Sequence, residues 1–211
     1  IEARNDRMFT PLHEALWERS LAVARTLIAH GADANSRIPA PLGWAPLHMA
    51  ARFGWSDMID LLLEKGAGTT DINSIAPGGK TPLHLAVDYN KLEMATSLIK
   101  KGADIHARDD NGNTPLHLFA GALASERDPG WAGSQRETLL QLLLTKSAEV
   151  NAQNNLGYTP LHYAVLQKNI RTAQALIIQG ADASLPEIEW QHPKEPMTLQ
   201  ERLNSIMQST Q

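Results

Sequence analysis

Histidine recurs five times in the same local sequence, and it is the residue of this chain best suited to chemistry. The gaps between successive copies are 35, 36, 33 and 45 residues, for His13, His48, His84, His117 and His162. Imidazole is a common zinc ligand, but a zinc site needs every ligand about 2 Å from one ion. If each histidine belongs to one unit of a helical stack, equivalent positions lie about 8–10 Å apart. We therefore predict a structural role for them, no metal site and no cofactor.

A second motif, Gly79-Lys80-Thr81, is typical of the end of a phosphate-binding loop. The first glycine of that loop pattern would fall at Ser74, so the pattern fails. The motifs G-x-S-x-G, H-E-x-x-H and G-x-G-x-x-G do not occur in the sequence. Nothing in the spacing assembles the scattered Asp, Ser and His residues into a catalytic arrangement. We expect no enzymatic activity.

Each recurring histidine ends a repeated tetrapeptide. Thr-Pro-Leu-His begins at Thr10, Thr81, Thr114 and Thr159, and Ala-Pro-Leu-His begins at Ala45. Threonine is a good helix cap, and proline suits the first helical turn because no N–H is needed there. A second, apolar segment follows and ends near a glycine that can take left-handed dihedral angles. The pattern predicts helix pairs joined by glycine-containing turns.

The chain resembles the ankyrin-repeat family over nearly its whole length, since T-P-L-H-x-A returning at about 33 residues is typical of that family. The resemblance implies an all-α fold, an α-solenoid of five helix–turn–helix repeats with short β-hairpin fingers and a C-terminal capping helix. We place the repeats within residues 1–185, in units at about 5–37, 40–75, 76–108, 109–153 and 154–186. Residues 186–211 are interpreted as a linker and a degenerate sixth repeat, with Leu199, Leu203 and Ile206 on one helix face.

Composition restricts the partners. The chain has 19 Lys plus Arg against 23 Asp plus Glu, a net charge of −4, which argues against nucleic acid and anionic membranes. It has no cysteine, as is common in intracellular proteins. No apolar run approaches the roughly 20 residues of a membrane span. We expect a monomer that binds another protein or peptide in the cytoplasm, or in a host cytoplasm if the protein is a secreted effector.

The resemblance implies that a partner binds the concave face, which consists of finger tips and the exposed side of each first helix. Aromatic and charged residues occupy the variable positions of the first three repeats: Phe9, Trp17, Glu18, Trp44, Arg52, Phe53, Lys80, Asp88 and Tyr89. Aromatic residues that packing does not require are often binding hot spots. The alternative is that some rings fold inward; Trp44 could lie flat on a neighbouring helix. The last two repeats carry Asp110, Asn111, Asn113, Tyr158, Leu166 and Gln167 at these positions.

The fourth repeat departs from the pattern. Residues 121–137 form an insertion about 12 residues longer than the usual connection, with a turn signal at 128–130. It is either a tolerated surface loop or a binding loop, and in the second case Trp131 contacts the partner. Phe119 stands where the other repeats have alanine, and we expect a local shift in packing. Arg19 and Lys168 replace Gly or Asn between helices, at a small cost in stability.

One candidate modification site is Asn151. Leu143, five further residues and Glu149-Val150-Asn151 resemble the ankyrin sequence that an asparaginyl hydroxylase modifies. The same residues are ordinary repeat consensus, so the alternative is a purely structural asparagine.

We predict a protein–protein interaction module without catalysis. One alternative is a targeting domain excised from a larger enzyme or bacterial effector, because the chain begins at Ile1 rather than Met. Another is a cytosolic regulatory domain of a membrane channel, which the short fingers and the scattered Lys and Arg residues disfavour.

Overall fold

A computed structural model describes residues 1–65, 71–122, 135–146, 149–184 and 199–208. Its α-helices are α1 Pro11–Trp17, α2 Leu21–Ala29, α3 Pro46–Phe53, α4 Met58–Lys65, α5 Pro82–Asp88, α6 Leu92–Lys100, α7 Pro115–Gly121, α8 Gln135–Thr145, α9 Pro160–Leu166, α10 Ile170–Ile178 and α11 Leu199–Gln208. A 3₁₀ turn spans Asp71–Asn73. The described residues contain no strand beyond an isolated antiparallel bridge between Ala76 and Lys80. This confirms the predicted all-α fold class, and none of the described helices is long and apolar enough to cross a membrane.

The first helix of every repeat begins at the repeated tetrapeptide. Thr10, Thr81 and Thr159 have extended backbones, and each hydroxyl accepts a hydrogen bond from the backbone N–H three residues later. Proline follows in the first turn, where the helix has no hydrogen-bond partner for an N–H. The local sequence therefore determines where these helices start.

The recurring histidines join each cap to the rest of the structure. Thr Oγ1 lies 2.8–2.9 Å from the histidine Nδ1 in four repeats, at His13, His84, His117 and His162. Nε2 of His48 donates to the Ser74 carbonyl at 2.9 Å, and Nε2 of His117 donates to the Tyr158 carbonyl at 3.0 Å. A carbonyl can only accept, so Nε2 carries the proton and Nδ1 is the acceptor. In these two residues both ring nitrogens hold a helix cap against the following finger.

The chain divides into two compact units, Ile1–Asp110 and Asn111–Gln211, called unit 1 and unit 2 below. In unit 1 each first helix packs on its own second helix, and α1, α3 and α5 pack side by side. The side chains that fill this interior are fully buried: Leu16, Met49, Met58, Leu83 and Met94. Each helix pair covers the apolar face of the next, as in other repeat proteins.

In unit 2, helix α9 contacts α7, α10 and α11. Leu199 and Leu203, two of the three residues predicted on one face of the C-terminal helix, are buried, and the side chain of Ile206 lies outside the described residues. Phe119 is also buried, and the Arg136 guanidinium lies over its ring at 4.5 Å from the ring centre. Arg136 donates to the carbonyls of Phe119 and Ala122 at 3.1 and 3.3 Å. The large ring at an alanine position is thus accommodated beneath an arginine of α8.

The fingers stack through glycine. Gly79 has φ +69°, and a β-carbon there would lie 2.5 Å from the backbone nitrogen of Asp110. That nitrogen donates to the Gly78 carbonyl at 2.9 Å. In unit 2 the Asn155 N–H donates to the Asn111 carbonyl at 2.9 Å, beside Gly112 at φ +75°. Only glycine permits this close approach of consecutive backbones.

The turn between the paired helices also needs a left-handed residue. Gly54 meets this need at φ +80°, whereas Arg19, Asn90 and Lys168 adopt φ values of +60°, +53° and +53°. The predicted strain at Arg19 and Lys168 therefore has a structural basis, because a β-carbon disfavours this conformation.

Candidate functional site

Aromatic rings of unit 1 form a continuous series of contacts. Ring centres are 5.7 Å apart for Phe9 and Trp17, 6.1 Å for Trp17 and Phe53, and 5.5 Å for Phe53 and Trp55. These separations and the tilted or edge-on geometries are favourable for aromatic pairs. We use the name aromatic face for these four residues together with three neighbours, Trp44, Arg52 and Tyr89.

The repeat register brings these side chains together. Trp17 and Phe53 are the last residues of α1 and α3, and Tyr89 directly follows α5. Because α1, α3 and α5 pack side by side, their C-terminal ends lie in one row. Phe9 and Trp44 each directly precede the cap of a first helix.

Hydrogen bonds within the fingers fix Trp44. The Ile38 N–H donates to the Trp44 carbonyl at 2.9 Å. Nη1 of Arg37 donates to the carbonyls of Gly43 and Ile75 at 3.0 and 2.8 Å, which ties the second finger to the third. The indole is therefore held by its backbone as well as by its ring contacts.

Arg52 lies at the centre of the aromatic face. Its guanidinium carbon is 5.0 Å from the centre of the Trp44 ring, 4.8 Å from that of Tyr89 and 5.8 Å from that of Phe53. Each separation is within the range of a cation–π contact. No carboxylate or carbonyl of the described residues pairs with this guanidinium.

Exposure divides the predicted aromatic residues into two groups. Phe9 and Trp44 are 5% and 8% exposed, so for these two the inward-packing alternative holds. Trp17, Arg52 and Phe53 are half-buried, and Tyr89 is 42% exposed. The buried rings support the exposed ones, and the surface that a partner could touch consists of the second group.

Charged residues surround the aromatic face, and most of them are paired. Nζ of Lys80 lies 2.5 Å from Oδ2 of Asp88. Arg7, whose guanidinium lies 5.4 Å from the centre of the Phe9 ring, forms an ion pair with Glu14. Glu18 is exposed at the end of α1 and forms no side-chain bond to the described part of the chain.

Burial keeps two histidines of unit 1, His13 and His48, in the neutral form. Burial, with a smaller contribution from Arg37, lowers the pKa of His48 to about 4. Burial likewise lowers the pKa of His13. Both imidazoles are neutral at pH 7. Within the described ranges, no three His, Cys, Asp or Glu side chains come together as metal ligands.

In unit 2, Asn113 corresponds to Trp44 and belongs to an internal polar network with Asn154 and Tyr163. Nδ2 of Asn154 donates to Oδ1 of Asn113 at 2.8 Å and to the Tyr163 hydroxyl at 3.1 Å. That hydroxyl donates to Oδ1 of Asn113 at 3.2 Å. Oδ1 of Asn154 accepts the backbone N–H groups of Leu156 and Tyr158, each at 3.0 Å. Both asparagines are buried, so their polar atoms serve the fold rather than a partner.

The remaining predicted positions are less informative about binding. Trp131 and most of the insertion lie outside the described residues. Leu166 is half-buried and Gln167 exposed. Asn151 is exposed; its side chain donates to the Gly180 carbonyl at 3.1 Å and accepts the Asp182 N–H at 2.8 Å. Asn73 accepts the Asp104 N–H in the same way, which identifies a recurring structural bond.

Trp55 is a member of the aromatic face that was not predicted from the sequence. It lies in the turn between α3 and α4, where rim packing is a sufficient explanation for an aromatic residue. The sequence feature that could have indicated its membership of the aromatic face is Phe53, two positions earlier. Because Trp55 is buried and contacts Phe53, it packs against the inner side of that ring.

Comparison with known proteins gives matches to ankyrin repeats along most of the chain. A family profile for ankyrin repeats in three copies matches residues 34–109 and 104–186, and a single-repeat profile matches residues 8–38. The human protein phosphatase 1 regulatory subunit 27 is 51% identical over 56 residues, which are 26% of this chain and 35% of that protein. The Caenorhabditis elegans ANK repeat-containing protein nipk-1 is 41% identical over 56 residues, 26% of this chain and 9% of that protein. The match thus spans about a third or less of each relative.

Proposed function

The chain belongs to the ankyrin-repeat family, and we propose that it binds a partner protein or peptide through the aromatic face of unit 1 and catalyses no reaction itself. The observation that carries this proposal is the partly exposed set of Trp17, Phe53 and Tyr89, in which Trp17 contacts Phe53 and Arg52 contacts Phe53 and Tyr89. Binding of other proteins is typical of the family.

The aromatic face has the anatomy of an interface. Its centre is apolar and aromatic, and its edge carries Glu18 and the Lys80–Asp88 pair. Interfaces commonly combine an aromatic and Arg-rich centre with a polar rim. Supported by the buried Phe9, Trp44 and Trp55, the exposed rings lose little freedom on binding.

The bonding of three titratable groups supports the part of this proposal that assigns no catalytic role. His48 is neutral at pH 7, and its two ring nitrogens bond to the Ala45 N–H and the Ser74 carbonyl. The carboxylates of Glu14 and Asp88 are in ion pairs. None of these groups is left in position to transfer a proton to a substrate.

One relative supports a binding role, since its name describes a regulatory subunit of a phosphatase. The match covers too little of either chain to suggest the same partner. A monomeric state and a cytoplasmic location stay predictions from the sequence, as do hydroxylation of Asn151 and a partner contact at Trp131.

Affinity capture followed by calorimetry on single variants tests the proposal. Removing a central aromatic residue from an interface costs about 2 kcal/mol or more, which is about thirtyfold in affinity. We expect Trp17→Ala and Tyr89→Ala to weaken binding of the captured partner by about that factor. The matched controls are Leu166→Ala and Gln167→Ala, at corresponding positions of unit 2, and should change affinity less than about threefold.

Circular dichroism of each variant establishes that the fold is retained. If the controls weaken binding more than the aromatic substitutions do, the recognition surface lies in unit 2 and the aromatic face is only packing.

A further inference from the structure

Arg52 differs from Lys80 and Arg7 in having no anion among the described residues. Lys80 is neutralised by Asp88, and Arg7 is neutralised by Glu14. The Arg52 guanidinium contacts only the faces of aromatic rings, and no described residue accepts a hydrogen bond from it. An arginine carries five N–H donors in a planar fork. Those donors are at the centre of the surface on which the proposed function rests.

The aromatic contacts orient this fork. Trp44 and Tyr89 lie at 5.0 and 4.8 Å from the guanidinium carbon, and Phe53 lies at 5.8 Å. Arg52 is half-buried, so its stem is already ordered. A cation–π contact does not give an N–H group the carboxylate or carbonyl acceptor that it lacks. The fork is thus pre-organised and lacks only an acceptor.

The geometry points to a side-chain carboxylate, from Asp or Glu in a segment of the partner, as the group that Arg52 binds. A carboxylate accepts two parallel N–H bonds from guanidinium, and such charge-assisted pairs are stronger than neutral hydrogen bonds. The inference rests on the proposed function and specifies the chemistry of the partner at that surface.

A carboxylate fits the local charge better than a phosphate does. Recognition of phosphorylated segments generally uses a cluster of arginines. Here Arg52 is the one guanidinium of the described residues that lies over Phe53 and Tyr89, and the ion pairs with Asp88 and Glu14 hold Lys80 and Arg7. A single negative charge is therefore the complement of this site.

Arg7 provides a matched control for Arg52. It also lies over an aromatic ring, that of Phe9, but its charge is satisfied by Glu14. If stacking alone mattered, the two arginines would contribute alike to binding. If the free donors matter, only Arg52 would contribute.

The experiment uses the full chain and a phage-displayed library of random 12-residue peptides as the probe. Peptides selected on the wild type are kept if the Trp17→Ala variant binds them more weakly. Their affinities are measured by fluorescence polarisation. We expect these peptides to share an Asp or Glu position. Replacing it with Asn or Gln should weaken binding to the wild type about tenfold or more and leave binding to Arg52→Gln almost unchanged.

Two further variants complete the test. Arg7→Gln should bind the selected peptides within about twofold of the wild type. Arg52→Lys keeps the charge but loses the fork, and should bind them several-fold more weakly. If circular dichroism shows that Arg52→Gln does not fold, the Arg52→Lys variant takes its place in the test.

Three outcomes would overturn the inference. In the first, the selected peptides depend on Trp17 but share no acidic position, or their acidic residue shows no coupling to Arg52. The carboxylate inference would then be wrong, and the proposed function would be retained. Tighter binding when phosphoserine replaces the acidic residue would make phosphate the preferred anion. If no library peptide depends on Trp17, the proposed function and the inference both fail.

Discussion

Units 1 and 2 use the residue before a helix cap in opposite ways. In the second repeat, which lies in unit 1, that residue is Trp44, and the Arg52 guanidinium lies over its ring. In unit 2 it is Asn113, which bonds to Asn154 and Tyr163. The backbone arrangement is the same in both cases, an extended cap followed by Pro-Leu-His. The side chain alone therefore decides whether the position supports a surface or completes an internal network.

The energetic consequences differ as well. Buried amides must keep all of their hydrogen bonds, because an orphaned donor or acceptor retains its full desolvation cost. Aromatic contacts are less directional, and they leave the donors of Arg52 for an external acceptor. The network of Asn113, Asn154 and Tyr163 thus stabilises unit 2 itself, whereas the N–H groups of Arg52 in unit 1 stay available to an external acceptor.

The largest expected effect is acid destabilisation of unit 1 through His48. Its folded pKa of about 4 lies below the ordinary value of 6.5, so the unfolded chain binds the proton first. Stability is complete above about pH 6.5, falls as the pH drops towards 4, and loses about 3 kcal/mol in that window. Urea unfolding between pH 7.5 and 4 measures the loss.

A His48→Gln variant is the control for this pH dependence, since carboxylates also titrate near pH 4. The variant should be less stable at pH 7 and should lack the decline between pH 6.5 and 5. Parallel pH profiles for the wild type and the variant would show that His48 does not cause the decline.

A somewhat smaller effect is expected in unit 2, where Asn154→Ala should lower the free energy of unfolding by about 2 kcal/mol. The substitution leaves the backbone N–H groups of Leu156 and Tyr158 without their acceptor. Urea unfolding followed by far-UV circular dichroism measures it. Leu156→Ala, in the same finger and 66% exposed, is the control and should cost less than about 0.5 kcal/mol.

This substitution also tests the contrast between the units. Asn154→Ala should leave affinity for a partner of the aromatic face nearly unchanged. Equal losses of affinity from Asn154→Ala and Trp17→Ala would break the division between a stabilising unit and a binding unit.

The smallest effect should be the same in both units. Arg19 and Lys168 adopt left-handed dihedral angles that glycine reaches without strain. Arg19→Gly and Lys168→Gly should each stabilise the fold by about 0.5–1 kcal/mol in thermal or urea unfolding. Asn90→Gly, at the same turn position, should gain less because asparagine tolerates this conformation. A loss of stability at Arg19 or Lys168 would indicate that their side-chain contacts outweigh the strain.

Local features were predictable because neighbouring residues determine them. Thr10 and Pro11 specify a helix start through a cap and a fixed dihedral angle, and the pattern recurs at each tetrapeptide. The unusual turn residues Arg19 and Lys168 could be recognised because the second and third repeats have Gly54 and Asn90 there. Repetition supplied the comparison that a single sequence usually lacks.

The exposure of individual rings could not be predicted in the same way. Phe9 and Trp44 occupy variable positions, yet both are buried by neighbours from other repeats. Trp55 was missed because its contact with Phe53 depends on the path of the turn between α3 and α4. A residue's position in the repeat indicates the direction of its side chain but not what covers it.

The amino-acid sequence by itself determined the family, the all-α fold class, the helix starts and the structural use of the histidines, because each depends on short-range patterns repeated along the chain. Only the tertiary structure decided which polar groups are satisfied. Asn113, Asn154 and Tyr163 bond across separations of 41 and 50 residues. Arg52 lies among rings from three segments, and Lys80 and Arg7 have anions, whereas no described residue supplies one for Arg52. Such pairings depend on distances in space, which packing sets and local sequence does not encode.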